Sequence, residues 1–201
     1  MTLPGEHPRK MSREEINDLP IRRYEGKVCL VSAAPDLAQA MADIRQEGVV
    51  GFDTETRPAF RKGESHLPCL VQVATAGAVY LFQLQRLDCS AALCELLADA
   101  GTAKAGIALA HDIRQLKQLF PLEAAAVLDL GAVAKRHGIE HTCLRHLAGI
   151  FLGFRIPKGT RTSNWASPRL SAAQIHYAAT DAWACRELYL CFERLGLLAE
   201  S

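Results

Sequence analysis

Two short apolar runs, Leu70-Val71-Gln72-Val73-Ala74 and Ala78-Val79-Tyr80-Leu81-Phe82, are separated by only Thr75-Ala76-Gly77. Three residues including a glycine can reverse the chain but cannot cross over a sheet, so the runs predict antiparallel strands joined by a tight turn. The pattern then changes. Ala91 to Ala98 reads as helix, Ala103 to Ala108 as strand, His111 to Phe120 as helix and Ala126 to Leu128 as a short strand. Leu130 to His137 and Leu144 to Leu152 read as further helices, and a long one runs from about Ala172 to Leu195. An antiparallel start followed by crossovers predicts an α/β fold, a mixed sheet with helices on its faces.

Upstream of the hairpin, Lys27 to Ser32 and Gly48 to Thr54 read as strands flanking a helix from Asp36 to Gln46. Ser12-Arg13-Glu14-Glu15 has the form of a capping box and predicts a short helix that ends before Pro20. The expected organisation is an N-terminal arm over residues 1–24 and a single domain over residues 25–201. A chain of 201 residues with 49% hydrophobic content can bury one good core and is too short for a second large one.

Twenty-three basic residues against 22 acidic ones leave no strong overall field, so a polyanionic partner has to be held by local patches or by bound metal. The seven cysteines are scattered, odd in number and without a CxxC pair, which predicts reduced thiols and a cytoplasmic protein. No apolar run reaches 18 residues, so no membrane association is expected.

The second strand ends in Phe52-Asp53-Thr54-Glu55. Residues two apart on a strand share a face, so Asp53 and Glu55 converge and repel each other unless a cation sits between them. Hard divalent ions want such oxygen ligands, which points to a metal-dependent hydrolase. Two further acids interrupt helical surroundings. Asp112 follows the strand-like Lys104-Ala105-Gly106-Ile107-Ala108, a junction where α/β folds place active groups. Asp181 lies four residues after Tyr177, so phenol and carboxylate share one helix face, about 40° apart. Ser171-Ala172-Ala173-Gln174 reads as the capping box of that helix.

In order and spacing, Phe52-Asp53-Thr54-Glu55, Ala105-Gly106-Ile107-(x)4-Asp112 and Tyr177-(x)3-Asp181 resemble the motifs of the DEDDy 3′-to-5′ exonucleases, which include ribonuclease D and the Werner-type exonuclease domain. The last motif is preceded by Ser163-Asn164-Trp165 and Leu170-(x)3-Gln174, and the resemblance covers roughly residues 27 to 195. It implies a ribonuclease H-like fold and removal of nucleoside monophosphates from the 3′ end of single-stranded or frayed DNA or RNA. It also implies two divalent cations, Mg²⁺ or Mn²⁺, about 4 Å apart, held by Asp53, Glu55 and Asp181 with Asp112 assisting. Tyr177 would orient the attacking water. A sister family uses a histidine five residues before its last aspartate, where His176 stands here. On a continuous helix His176 is about 140° from Asp181, so Tyr177 is favoured. The rival reading is a non-catalytic nucleic-acid-binding or scaffolding domain that keeps the fold.

Substrate grip is expected from Arg155, Lys158, Arg161 and Arg169, in a segment with no acidic residue. Trp165 could stack on a base or anchor the loop to the core. Arg57, Arg61 and Lys62 form a second possible phosphate patch. His137, His141, Cys143 and His146 have partial zinc-like spacing but read as solvent-facing or carbonyl-capping groups, His111 as structural, and Asp129 as a helix N-cap.

Overall fold

A six-stranded mixed sheet carries the chain, in the order β1-β4-β3-β2-β5-β6. The computed structural model describes residues 8, 10–61, 63–157, 159 and 163–199. The strands are β1 (Lys27–Val31), β2 (Val49–Thr56), β3 (Pro68–Ala74), β4 (Ala78–Gln83), β5 (Ala103–Gly106) and β6 (Val127–Asp129). The hairpin β3–β4 and its neighbour β2 are antiparallel, whereas β1 joins β4, and β5 joins β2 and β6, in parallel. Around the sheet lie α1 (Arg13–Asp18), α2 (Ala34–Ile44), α3 (Ser90–Ala98), α4 (Leu109–Leu116), α5 (Leu130–Arg136), α6 (Leu144–Leu147) and α7 (Ala172–Arg194).

Strand alternation divides the core between the two faces of the sheet. Val50, Phe52, Val71, Val73, Tyr80 and Phe82 pack with the apolar stripes of α2, α3 and α4. Leu70, Ala74, Val79 and Leu81 meet Ala178, Ala179 and Ala182 of α7 on the opposite face. Asp53 and Glu55 have the parity of Gly51, which touches α7, and therefore lie on the α7 side.

Two stretches depart from expectation. The strand expected to run to Ala108 ends at Gly106, and α4 begins at Leu109 instead of His111. Ala108 adopts φ 58°, in the left-handed region, and this single residue turns the chain from strand into helix. The helix expected over Leu144 to Leu152 is one α-turn followed by a π-helical segment, Ala148–Leu152. Its Gly149 packs against Ile16 and Leu19 of the N-terminal arm.

The arm forms the expected capping box, with the Ser12 hydroxyl accepting from the Glu15 amide and the Glu15 carboxylate accepting from the Ser12 amide. It is tied to the body at several points. Lys10 pairs with Glu140 at 2.8 Å, Arg145 donates to Asn17 at 2.7 Å, and the Tyr24 amide donates to the Thr180 hydroxyl at 3.1 Å.

Candidate active site

The site forms where β2 runs out of the sheet, at the carboxyl ends of the parallel pair β2 and β5, the usual crevice of such folds. How close α7 lies to β2 is set by Gly51, where an added Cβ would stand 1.9 Å from the Ala182 carbonyl oxygen. With no side chain between them, helix and strand backbones touch, and Asp181, the residue before Ala182, comes to the Asp53–Glu55 face. The phase of α7 is set at its start. The Ser171 amide donates to Gln174 Oε1 at 2.9 Å, the Gln174 amide donates to Ser171 Oγ at 3.3 Å, and Gln174 Nε2 donates to the Asn164 carbonyl at 3.2 Å.

A cleft of about 690 Å³ opens there, lined by Asp53, Glu55, Asp112, Tyr177 and Asp181 among others. All five residues expected from the sequence motifs thus share one cavity, delivered by β2, α4 and α7. Asp181 is 8% exposed. Asp112 comes from the opposite sheet face, and the Thr54 hydroxyl, pointing that way from β2, donates to its carboxylate. The Thr54 amide donates to Asp53 Oδ1 at 2.9 Å, so one residue touches two of the acids. Thr54 was not singled out from the sequence. The strand alternation that pairs Asp53 with Glu55 also turns the intervening side chain toward the first turn of α4, and that is the signal that could have found it.

The electrostatics of the cleft are those of concentrated negative charge. Burial, then the charges of Asp181, Glu55 and Asp53, push the Tyr177 phenol far above its ordinary pKa. Burial also raises the Asp112 carboxyl, with the Thr54 hydrogen bond working against it. Cys185, one helical turn beyond Asp181, is raised well above the usual thiol range by burial and then by Asp53, Asp181 and Asp112. The oxygen donors that line the cleft are the carboxylates, with the phenol beside them. That set suits a hard divalent cation. Among the described residues no group of three or more His, Cys, Asp or Glu side chains is set closely enough to hold a metal ion as placed.

Several other candidates fall differently from expectation. Trp165 is 1% exposed and packs with Leu70, Leu81 and Ala178, its ring centroid 5.9 Å from that of Tyr177. A base has no open indole face to stack on, so of the two roles expected for Trp165 the anchoring one is realised. The Arg155 guanidinium donates through Nε to the Leu19 carbonyl at 3.1 Å, and its backbone pairs with the arm at Pro20 and Arg22. It clamps the N-terminal arm, a use that composition alone does not reveal. Lys158, Arg161 and Lys62 lie outside the described residues. His111, expected to be structural, lines the cleft beside Asp112, because the cavity is wide enough to span His111, Asp112 and Gln115 on α4. His176 is exposed and lines not the cleft but an adjoining groove with Arg23 and Ala173, which shares Ile156, Pro157, Gly159 and Tyr177 with the cleft. Gly159 lies on the Tyr177 ring, where an added Cβ would stand 1.6 Å from Cδ2.

Asp129 is the N-cap of α5, accepting from the Gly131 and Ala132 amides at 2.9 and 3.2 Å. His137 meets the Leu197 carbonyl at 3.0 Å, and Cys143 Sγ lies 3.0 Å from His146 Nδ1.

Comparison with known proteins shows the family of the chain. Residues 28–196 match the family model described as 3'-5' exonuclease, and the chain belongs to that family. It is 32% identical to ribonuclease D of Gluconacetobacter diazotrophicus, a match covering 83% of this chain and 42% of that protein. It is 28% identical to the mouse bifunctional 3'-5' exonuclease/ATP-dependent helicase WRN, over 92% of this chain and 14% of the relative. The chain therefore spans less than half the length of either. The crystal structure of the Aedes aegypti Nibbler EXO domain superposes with a TM-score of 0.73 at 26% identity, covering 87% of this chain and 90% of that one.

Proposed function

We propose that the chain is a metal-dependent 3′-to-5′ exonuclease that releases nucleoside monophosphates from the 3′ end of single-stranded or frayed nucleic acid. The observation that carries this reading is the convergence of Asp53, Glu55, Asp112, Tyr177 and Asp181, from three separate elements, on one cleft. Asp53, Glu55 and Asp181, assisted by Asp112, would hold two divalent ions, Mg²⁺ or Mn²⁺. When bound, these supply Lewis acidity toward the phosphate and lower the pKa of the attacking water.

The chain's own residues do the rest. Burial, the largest of the forces on it, disfavours phenolate at Tyr177. The phenol therefore works as a hydrogen-bonding group that orients water at the scissile phosphate, not as a base. Thr54 steadies Asp53 and Asp112 together through its amide and hydroxyl. The polarity of attack, from the 3′ end, follows the activity named for the relatives. Among the described residues no helix is long and apolar enough to cross a membrane. All seven cysteines are free, which supports our placing the protein in the reducing cytoplasm.

The test uses 5′-labelled single-stranded DNA and RNA with Mg²⁺, Mn²⁺ or EDTA, for the wild type and Asp53→Ala. A ladder shortening from the 3′ end, abolished by EDTA and by Asp53→Ala, is expected. Folded protein that binds the strands but cleaves none of them with either ion would overturn the reading in favour of a non-catalytic domain.

A further inference from the structure

Beneath the acids, on the same side of the sheet, sits a polar side chain that the mechanism above does not use. Gln72 is the cross-strand partner of Asp53 in the β2–β3 register and of Leu81 in the β3–β4 register. It shares the α7 face with Leu70 and Ala74, which pack against Ala178, Ala179 and Ala182. It is 0% exposed, and neither Nε2 nor Oε1 has a hydrogen-bond partner in the structure. Buried amides almost always find partners, and an orphaned one inside an apolar layer is a net cost to the fold. A leucine or methionine in that place would fill the same space without the cost. The feature makes sense where the amide is spent on function.

Directly opposed residues on antiparallel strands hold their Cβ atoms about 4.5–5.5 Å apart, and a glutamine amide spans that gap easily. Asp53 Oδ1 already accepts from the Thr54 amide at 2.9 Å. We propose that Gln72 is the positioning residue for Asp53: on cation binding its Nε2–H, which makes no hydrogen bond here, swings onto the Asp53 carboxylate across the strand pair and holds it toward the cleft. This rests on the reading of Asp53 as a cation ligand. A carboxylate gripped from the strand on one side and from a buried amide on the other loses its freedom to rotate, and ligands supported in this way bind ions more tightly than unsupported ones.

The inference makes two effects of one substitution run in opposite directions, which a merely structural role does not. Gln72→Met removes both orphaned atoms, so its Tm, measured in EDTA, is expected to rise by about 2–4 °C. Its Mn²⁺ affinity, read by electron paramagnetic resonance without substrate, is expected to fall about tenfold or more. A companion measurement on intact wild type guards against a variant that does not fold. In the ¹⁵N spectrum the Gln72 side-chain amide is expected to shift on saturation with Mg²⁺. Gln72→Met binding Mn²⁺ as tightly as wild type, or a Gln72 amide indifferent to Mg²⁺, would overturn the proposal. Wild type that binds no Mn²⁺ at all would instead overturn the functional reading on which it rests.

Discussion

Thr54 and Asp112, 58 residues apart in the chain, are joined by a hydroxyl-to-carboxylate hydrogen bond at the mouth of the cleft. The bond ties β2 to the first turn of α4. It also opposes the burial that raises the Asp112 carboxyl. Through its backbone amide the same residue steadies Asp53.

Thr54→Val keeps the shape of the side chain and removes the hydroxyl. Asp112 then loses the contact that lowers its pKa, so its carboxyl should titrate at higher pH than in wild type. The acid-side limb of the pH–rate profile is expected to move upward, with roughly a tenfold loss of rate at neutral pH. A profile that superimposes on wild type would show that the bond is incidental to activity.

Tyr177→Phe retains the ring that packs near Trp165 and deletes only the group facing the acids. It should leave Tm within a degree or so of wild type. If the phenol orients the attacking water, kcat should drop by about 10²-fold or more while KM changes little. Because the wild-type phenol is held protonated, no fall in rate from tyrosine ionisation is expected up to about pH 10. An alkaline limb near pH 9 that vanishes in Tyr177→Phe would contradict this.

Gly51→Ala forces a methyl group into the Ala182 carbonyl, a contact between backbones that no rotamer can relieve. Helix α7 has to move away from β2, carrying Asp181 with it. The expected cost is about 3 kcal/mol or more in urea unfolding, together with loss of cation binding. Near-wild-type stability and activity would mean that α7 can shift without disturbing the acids.

Ala108→Gly acts at the left-handed turn between β5 and α4. An alanine there carries roughly 1 kcal/mol of backbone strain that glycine does not, so the variant should unfold at higher urea concentration with unchanged activity. A lower midpoint would mean that the entropy of the added glycine outweighs the strain relieved.

The site was legible from the sequence where periodicity and caps determine direction. Asp53 and Glu55 follow from strand alternation, and Tyr177 and Asp181 follow from the Ser171–Gln174 capping box that sets the phase of α7. The Asp129 cap and the Ser12–Glu15 box were readable for the same local reason. Features decided by tertiary contact were not. Whether Trp165 faces a base or the core depends on α7 and β3 being present to receive it. Arg155 reads as one cation in a basic loop until the arm arrives at its guanidinium. The start of α4 was misplaced because Leu109 and Ala110 carry no cap signal, and a non-glycine residue in the left-handed region is seldom expected from sequence.

The distribution of the acids along the chain bears on when the cleft comes into being. Asp53 and Glu55 enter early, on a strand at the centre of the sheet, while Asp181 and Tyr177 belong to α7, the last element of the fold. A chain emerging from the ribosome therefore presents Asp53, Glu55 and Asp112 without Asp181 or Tyr177 until that helix has been synthesised and has seated itself against Gly51. The contact of two backbones works as a safety catch, joining the acids only in a molecule whose sheet is already complete.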